Sequence, residues 1–312
     1  MSTHLKYNRI YNQSKNFNKS KYLDFVKIGE GSFGVVVRAR DTETNTTIVI
    51  KTIIKPSKTL SESTRKHRED DILSEVEALS TLHATCDQHI LCAIEFAEDE
   101  DHFYIITEYL GNYMTLLEWS ASRGSLSHDK LLHIIDNLID GLRTIHNFDI
   151  AHRDIKMENI MINPNTLDVK YIDFGLSCVS NKCTKRRVGS PLYAAPELFA
   201  DELSTPDTMN LWFRADIWSL GMVILEIIPP LKLSFIEFIS TVEGYDLTSE
   251  DCYKNLFLLD KILHTIGITA RHLRLYFSAF SITDSMQTFI HDRVLPMLGG
   301  DPNTRTLRGT PP

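Results

Sequence analysis

No stretch of the sequence is both long and apolar enough to cross a lipid bilayer. The most apolar run, residues 218–231, contains Glu226 and two prolines, and it is shorter than the roughly 20 residues that a membrane-spanning helix needs. Residues 1–21 are polar and lack the apolar segment of a secretory signal peptide. We therefore expect an intracellular protein, cytoplasmic or nuclear, that makes no contact with a membrane.

Cysteine is scarce. The five cysteines are an odd number, and no two of them have C-x-x-C spacing. They are Cys86, Cys92, Cys178, Cys183 and Cys252. This pattern argues against a disulfide framework and against a structural zinc site, and it is typical of a protein from a reducing compartment.

Positive charge is in deficit. The sequence has 33 lysines and arginines against 41 aspartates and glutamates, a formal charge of −8 with histidine neutral. General nucleic-acid binding needs a basic face, so we expect no nucleic-acid partner. What is present is an ordinary globular composition, 43% hydrophobic and 24% charged. Such a chain can bury a core, and its length suggests about two domains or lobes.

The pattern of residues changes twice along the chain. Residues 1–21 are rich in asparagine, lysine and serine, which predicts a flexible N-terminal arm, although its tyrosines and Ile10 could dock on the domain. Residues 22–110 alternate β-branched runs with glycine turns around one helical stretch, whereas residues 111–312 are mainly helical. The sequence thus predicts an α+β domain over residues 22–312, with a β-rich N-lobe and a helical C-lobe.

A glycine pattern follows the first apolar run. Gly29, Gly31 and Gly34 read G-x-G-x-x-G, with Val36 two residues later. Glycine lets the backbone approach phosphate oxygens and point N–H groups at them. A dinucleotide-binding loop needs a helix directly after the glycines, but a β-branched strand follows here. The glycines alone leave a phosphate-binding loop and a structural hairpin equally open.

A lysine interrupts the β-branched run of residues 46–54. Lys51 is either a solvated side chain on the outer face or a cation placed to meet phosphates. A lysine in a cleft needs an opposite charge, and the following helical stretch offers Glu75 and Glu77. At about 100° per residue they lie on opposite sides of the helix, with Glu75 beside Leu79 at the edge of the apolar stripe. We predict that Glu75 pairs with Lys51.

Three short motifs come next. Residues 152–159 read H-R-D-x-x-x-x-N, residues 173–175 read D-F-G and residues 195–197 read A-P-E. With the glycine pattern and the strand lysine, they resemble the motif set of the eukaryotic-type protein kinase family. The resemblance covers residues 22–228 densely. It implies the bilobal protein kinase fold and an ATP-dependent phosphotransferase.

The resemblance implies catalytic and metal-binding roles. Asp154 is implied to accept or orient the hydroxyl proton of the substrate, and Lys156 to approach the γ-phosphate. Asn159 and Asp173 are implied to hold Mg²⁺, a hard cation that prefers oxygen ligands and keeps several waters.

The resemblance also implies where ATP binds. Lys51, paired with Glu75, is implied to meet the α- and β-phosphates, and Thr107 to stand behind the adenine pocket. The hinge backbone at Glu108 and Leu110 is implied to bind the adenine edge. The implied nucleotide-binding residues are Ile28, Gly29, Glu30, Gly31, Ser32, Phe33, Gly34, Val35, Val36, Lys51, Thr107, Glu108 and Leu110.

Two features favour the serine/threonine branch of the family. Lys156 is typical of that branch, and the segment that begins at Ser190 resembles its substrate-binding segment. Ser190 is implied to hydrogen-bond the catalytic aspartate and Lys156. Among structural roles, Asp216 is implied to hold the backbone of the catalytic loop, and Glu197 to pair with Arg305.

The segment between the D-F-G and A-P-E motifs is basic. Its cations are Lys182, Lys185, Arg186 and Arg187. In the family an arginine at the position of Arg153 usually meets an activating phosphate, and these cations would repel it unless an anion intervenes. That anion is a phosphate on Ser180 or Thr184, or an acidic substrate or partner. We therefore predict protein substrates and an acidic activator or partner at this segment.

Two other functions compete with a serine/threonine kinase. A pseudokinase that acts as a binding scaffold would lack a catalytic residue, and none of those implied above is missing. A small-molecule kinase of related fold would lack the A-P-E segment. Within the kinases, residues 258–267 resemble the group that contains cyclin-dependent and MAP kinases, whereas Ala194 replaces that group's arginine before A-P-E.

Overall fold

Six strands form the main sheet in the computed structural model, which describes residues 15–31, 34–57, 59, 61–83, 85–180, 188–199, 209–229, 235–245, 263, 267–278 and 282–307. The strands are β1 (Lys15–Asn16), β2 (Tyr22–Gly31), β3 (Gly34–Asp41), β4 (Thr47–Ile54), β5 (Ala93–Glu98) and β6 (His102–Glu108). Their order is β1-β5-β6-β4-β3-β2, and neighbours are antiparallel except for the parallel pair β1–β5. The predicted β-branched runs therefore build one lobe.

Strand β4 shows how an apolar run accommodates a lysine. Side chains alternate between the two faces of a strand. Ile48 and Ile50 are buried in a small outer cluster, whereas Ile53 is buried in the main core. Lys51 shares the face of Ile53 and stands opposite Ile105 of β6, which is also in the main core. Lys51 therefore faces the interior of the molecule.

The helix after β4 is longer than its apolar stripe. Helix α1 (Glu62–His83) already begins in the charged stretch before the stripe. Ile72, Val76 and Leu79 are buried in the main core, which confirms the stripe. His83 has the same spacing but is exposed at the last position of α1, where the chain leaves the helix.

Helices dominate the second lobe. They are α2 (Leu116–Ser122), α3 (His128–Asn147), α4 (Met209–Ile227), α5 (Phe235–Val242), α6 (Ala270–Phe277) and α7 (Asp284–Phe289). Ser127 caps α3, because its side chain accepts a hydrogen bond from the N–H of Lys130 at 3.4 Å. Helix α4 is buried at every position from Ala215 to its end. The predicted α+β architecture of a β-rich and a helical lobe is confirmed. None of the described helices combines the length and hydropathy of a membrane span.

Short elements connect these helices. The short strands are β7 (Met114–Thr115), β8 (Ile150–Ala151), β9 (Ile160–Ile162), β10 (Val169–Tyr171) and β11 (Cys178–Val179). The 3₁₀ turns are Lys19–Lys21, Met157–Asn159, Pro196–Phe199, Leu295–Met297 and Pro302–Thr304, and Ile290–Val294 is a π-helical turn. Strands β7, β9 and β10 form one sheet, and β8 pairs with β11. These short pairs hold the loops that carry the H-R-D and D-F-G motifs.

The N-terminal arm is not flexible along its whole predicted length. Strand β1 pairs with β5, and the N–H of Phe17 donates to the carbonyl of Glu98 at 2.9 Å. The Phe17 ring stacks on Tyr104, with centroids 3.7 Å apart, and lies 5.8 Å from that of Tyr22. Aromatic stacking and one edge pairing thus attach residues 15–21 to the sheet. The predicted flexible arm is wrong for these residues, while residues 1–14 lie outside the described part of the chain.

The cysteines also differ from expectation. Cys86 and Cys92 form a disulfide with Cα atoms 5.0 Å apart. A pattern search for C-x-x-C cannot find this pair, because the turn between α1 and β5 brings together residues separated by six positions. The prediction against disulfides is therefore wrong for the pair Cys86–Cys92.

Candidate active site

Lys51 and Glu75 meet between the sheet and helix α1. The Lys51 ammonium donates to Glu75 Oε1 at 2.5 Å, and it lies 3.5 Å from Asp173 Oδ1. Glu75 is buried with 6% exposure, whereas Glu77 is half-buried. The alternation of β4 and the angular position of Glu75 on α1 produce this pairing, as the sequence predicts.

Lys51 and Asp173 favour each other's charged forms, whereas burial raises the pKa of Glu75 despite the nearby Lys51 ammonium. Burial disfavours the ammonium form of Lys51, but the carboxylates of Glu75 and Asp173 outweigh it and raise the Lys51 pKa above its ordinary value. Burial would likewise raise the pKa of Asp173, but Lys51 and His152 lower it on balance. Lys51 stays a cation and Asp173 a carboxylate at neutral pH.

Asp154 is held on both of its carboxylate oxygens. Ser190 Oγ donates to Oδ1 at 2.9 Å, and Asn159 Nδ2 donates to Oδ2 at 2.8 Å. Lys156 Nζ lies 3.0 Å from Oδ2 and also donates to Ser190 Oγ at 2.8 Å. The predicted contacts of Ser190 are therefore present. Three polar groups fix the carboxylate in one orientation.

The backbone before Asp154 is fixed from helix α4. Asp216 Oδ2 accepts the N–H of His152 and Asp216 Oδ1 that of Arg153, each at 2.8 Å. This allows Arg153 to hold a positive φ of 68°. His146 Nε2 lies 3.0 Å from the same Asp216 carboxylate. The sequence predicted Asp216 but not His146, which lies in helix α3 and matches no motif.

Asn159 and Asp173 have the chemistry of a magnesium site. Asn159 makes its side-chain bonds to Asp154 through Nδ2, which leaves its amide oxygen available to a cation. The N–H of Ile172 donates to the Asn159 carbonyl at 3.0 Å, so the next residue, Asp173, comes beside this loop. The Asp173 side chain is 50% exposed and ionised. An amide oxygen and a carboxylate are hard ligands that fit Mg²⁺.

The glycine pattern forms the turn between β2 and β3. Gly29 pairs with Val36 and Gly31 with Gly34. A Cβ atom on Gly34 would lie 1.7 Å from the Thr52 carbonyl oxygen, so this position requires glycine. The glycines therefore form the structural hairpin that the sequence left open, and this hairpin is also compatible with a phosphate-binding role. Ser32 and Phe33 lie outside the described residues.

The other implied nucleotide-binding residues differ in exposure. Ile28 is 49% exposed and Thr107 is buried with 6% exposure. Val35, Val36 and Leu110 are half-buried. Glu30 is exposed and pairs with Lys27 at 2.5 Å.

Glu108 anchors the hinge in a way that the motifs do not reveal. Its Oε1 accepts the N–H of Cys92 at 2.8 Å and the ammonium of Lys170 at 2.9 Å. The Glu108 N–H donates to the Cys92 carbonyl at 3.1 Å. Its side chain and N–H therefore hold the hinge against β5 and β10. Lys170 was not identified from the sequence. The signal was the same as for Lys51, since Lys170 is a lysine between the apolar residues of strand β10.

Three features define the bilobal kinase class of fold. They are a β-rich lobe with a buried lysine–glutamate pair, a helical lobe with a restrained aspartate, and oxygen-bearing side chains between the two lobes. A family model described as "Protein kinase domain" matches residues 22–235. The chain belongs to the protein kinase family, and the predicted eukaryotic-type, serine/threonine branch is confirmed.

Three proteins similar to this chain share the name mitogen-activated protein kinase HOG1. The mitogen-activated protein kinase hog1 of Blastobotrys adeninivorans is 31% identical over 213 residues, which cover 67% of this chain and 48% of the relative. The HOG1 proteins of Hortaea werneckii and Cochliobolus heterostrophus are 29% and 30% identical over 67% of this chain, and the match covers 53% and 54% of them. The chain therefore spans about half the length of the curated relatives it matches.

Proposed function

We propose that this chain is an ATP-dependent protein kinase that transfers the γ-phosphate of ATP to serine and threonine hydroxyls of protein substrates. The observation that carries the proposal is the restrained carboxylate of Asp154. Its partner Asn159 connects it to Asp173, which in turn contacts Lys51 beside Glu75. Phosphoryl transfer requires from a protein mainly such positioning of the reactants and neutralisation of the phosphate charge.

Each residue has a separate task in this reaction. Asp154 orients the substrate hydroxyl and takes its proton as the oxygen bonds to the γ-phosphorus and the bond to the β-phosphate oxygen breaks. Lys156, beside Asp154, stabilises the negative charge of the transferred group. Lys51, held by Glu75, binds the α- and β-phosphates. Mg²⁺ bound by Asn159 and Asp173 would supply further neutralisation of phosphate charge.

The nucleotide lies between the glycine turn and the hinge in this proposal. The backbone of the turn at Gly29, Gly31 and Gly34 faces the phosphates, and the hinge at Glu108 and Leu110 binds the adenine edge. Thr107 closes the back of the pocket.

We also propose partners and a location. Protein substrates bind along the segment of Ser190, and an acidic activator or substrate meets the basic residues 182–187, which lie outside the described residues. The Arg153 guanidinium, which stands 4.2 Å from the ring centroid of Trp212, is the cation that this acidic group would meet. We place the protein inside the cell, in the cytoplasm or the nucleus.

The test is a phosphotransfer assay. The purified chain is incubated with labelled ATP, Mg²⁺ and an arrayed peptide library, beside an Asp154→Asn variant as control. We expect phosphoserine and phosphothreonine with the native chain and almost none with the variant. Phosphotyrosine as the main product would contradict the substrate class. ATP binding without transfer under any condition would support the pseudokinase scaffold instead.

A further inference from the structure

The connection between α1 and β5 carries three side chains that the proposed reaction does not use. They are His83, Cys86 and Cys92, and one ligating atom from each lies within 4.8 Å of the others. The two cysteines are joined, with Cα atoms at 5.0 Å, inside the range that disulfides require. His83 and Cys86 are exposed and Cys92 is half-buried, so small reagents can reach the pair.

This connection touches both elements that position the nucleotide. His83 is the last residue of α1, the helix that carries Glu75. Cys92 exchanges two backbone hydrogen bonds with the hinge residue Glu108, one to its carboxylate and one from its N–H. The His83 ring also contacts the carbonyl of Ala93, the first residue of β5. The bond between Cys86 and Cys92 therefore ties the end of α1 to the strand that holds the hinge.

We propose that Cys86 and Cys92 are a reversible thiol–disulfide site that tightens nucleotide binding when it is oxidised. The effect on ATP rests on the proposed function, whereas the chemistry of the cysteines does not. The cysteine content predicts a reducing compartment, where disulfides are usually transient and redox-sensing. A bridge over six positions closes a short loop, so it constrains the unfolded chain less than a long-range disulfide does. Its main effect is therefore on the local connection.

The bridge forms by exchange with a small-molecule disulfide. The Cys86 thiolate attacks one of its sulfurs, which gives a mixed disulfide and releases one thiolate. The Cys92 thiolate then attacks the Cys86 sulfur and releases the second thiolate. The protein pair is oxidised by two electrons, the reagent is reduced, and the two cysteine protons pass to the released thiolates. The imidazole of His83 can accept a thiol proton in this cluster, and a dithiol reverses both steps.

Mass spectrometry can follow the site directly. No lysine or arginine lies between Arg68 and Arg123, so one tryptic peptide, residues 69–123, contains both cysteines. The reduced chain is equilibrated with mixtures of oxidised and reduced glutathione, alkylated, digested and weighed. We expect the peptide to change from doubly alkylated to unalkylated as the mixture becomes more oxidising, and back on addition of a dithiol. A peptide that stays alkylated in every mixture would overturn the proposal.

A second experiment compares the kinetics and the amide exchange of the oxidised and the reduced protein. We expect oxidation to lower the KM for ATP about fivefold, at the low end of coupling between separate sites, with little change in kcat. Amide hydrogen exchange in α1 is expected to slow on oxidation even if the chain transfers no phosphate. Cys86→Ser should remove both responses, and Thr85→Ser, a conservative change to an exposed residue of the same connection, should keep them.

Two results would contradict this regulation. Equal KM values and equal exchange in the two redox states would show that the bridge is passive. A reduced protein that binds one Zn²⁺, shields both cysteines from alkylation and loses the metal in His83→Gln would show that the cluster is a metal site.

Discussion

Arg305 and Glu197 form a buried ion pair that joins two distant parts of the C-lobe. Nη1 of the arginine donates to Oε1 and Nη2 to Oε2, both at 2.7 Å, and the residues are 108 positions apart in sequence. The arginine side chain is 0% exposed and that of the glutamate 2%. The guanidinium also lies 4.7 Å from the ring centroid of Trp218. The pair anchors the A-P-E segment to the end of the described chain.

Arg305→Met should destabilise the protein by about 3 kcal/mol or more, because it leaves the Glu197 carboxylate buried without its partner. Urea unfolding measures the free energy of unfolding. Glu197→Gln should lose a comparable amount, and the double variant should lose less than the sum. Additive losses would show that the two side chains do not depend on each other.

Lys51→Met should lower kcat by at least about 100-fold, because it removes the cation proposed to bind the phosphates. Glu75 then stays buried without its partner, so the variant is also expected to be less stable. Lys51→Met/Glu75→Gln separates the effects: it should regain stability without regaining activity. Near-native turnover in either variant would show that the phosphates are held by other residues.

Phe17→Ala should reduce the free energy of unfolding by about 1–2 kcal/mol, as expected for a half-buried aromatic side chain. The ring stacks on Tyr104, and its loss should also speed amide exchange at β1. Phe25→Ala is the matched control, since Phe25 is 41% exposed, and it should have a smaller effect. Equal effects of the two changes would mean that the arm adds nothing to the sheet.

Glu226 should make the protein less stable as the pH rises. Burial, with Glu158 and Glu237 nearby, raises its pKa from 4.5 to about 7, although Tyr193 donates to it at 2.7 Å. Between these values the carboxyl ionises in the unfolded chain but not in the folded one, so the folded state binds more protons and the free energy of unfolding falls with pH. The full rise in the Glu226 pKa corresponds to a loss of about 3 kcal/mol in the free energy of unfolding between low and high pH.

The free energy of unfolding of Glu226→Gln, measured relative to that of the native chain, should therefore be higher at pH 8 than at pH 5. Urea unfolding at both values gives the difference, and Glu62→Gln, a change to an exposed residue at the start of α1, serves as control. An unchanged pH slope in Glu226→Gln would contradict the raised pKa.

Kinase activity should survive removal of the candidate phosphorylation sites in the activation segment. Ser180 is described, with a positive φ of 51°, and Thr184 lies outside the described residues. Because the segment is itself basic, we expect an acidic substrate or partner to supply the anion near Arg153. Ser180→Ala/Thr184→Ala, treated with phosphatase, should keep most of its activity. Complete loss with an intact fold would mean that phosphorylation of the segment is required.

The sequence by itself determined the short motifs of the catalytic loop and the pairing of Lys51 with Glu75. Those residues lie in short motifs or on one regular strand and helix, so spacing along the chain is enough to place them. Ser190, Asp216 and Arg305 were predicted only through resemblance to a family, because their partners are remote in sequence.

The tertiary structure alone decided the features that depend on packing between segments. The turn that joins Cys86 to Cys92, the docking of Phe17 on Tyr104 and the bonds of Glu108 to Lys170 have no periodic signature. Side-chain contacts of this kind depend on how the helices and strands pack against one another. The Glu226 pKa is raised by burial, and burial depends on all the residues that surround the side chain. Local patterns specify which elements form, whereas the positions of neighbouring elements decide what their side chains meet.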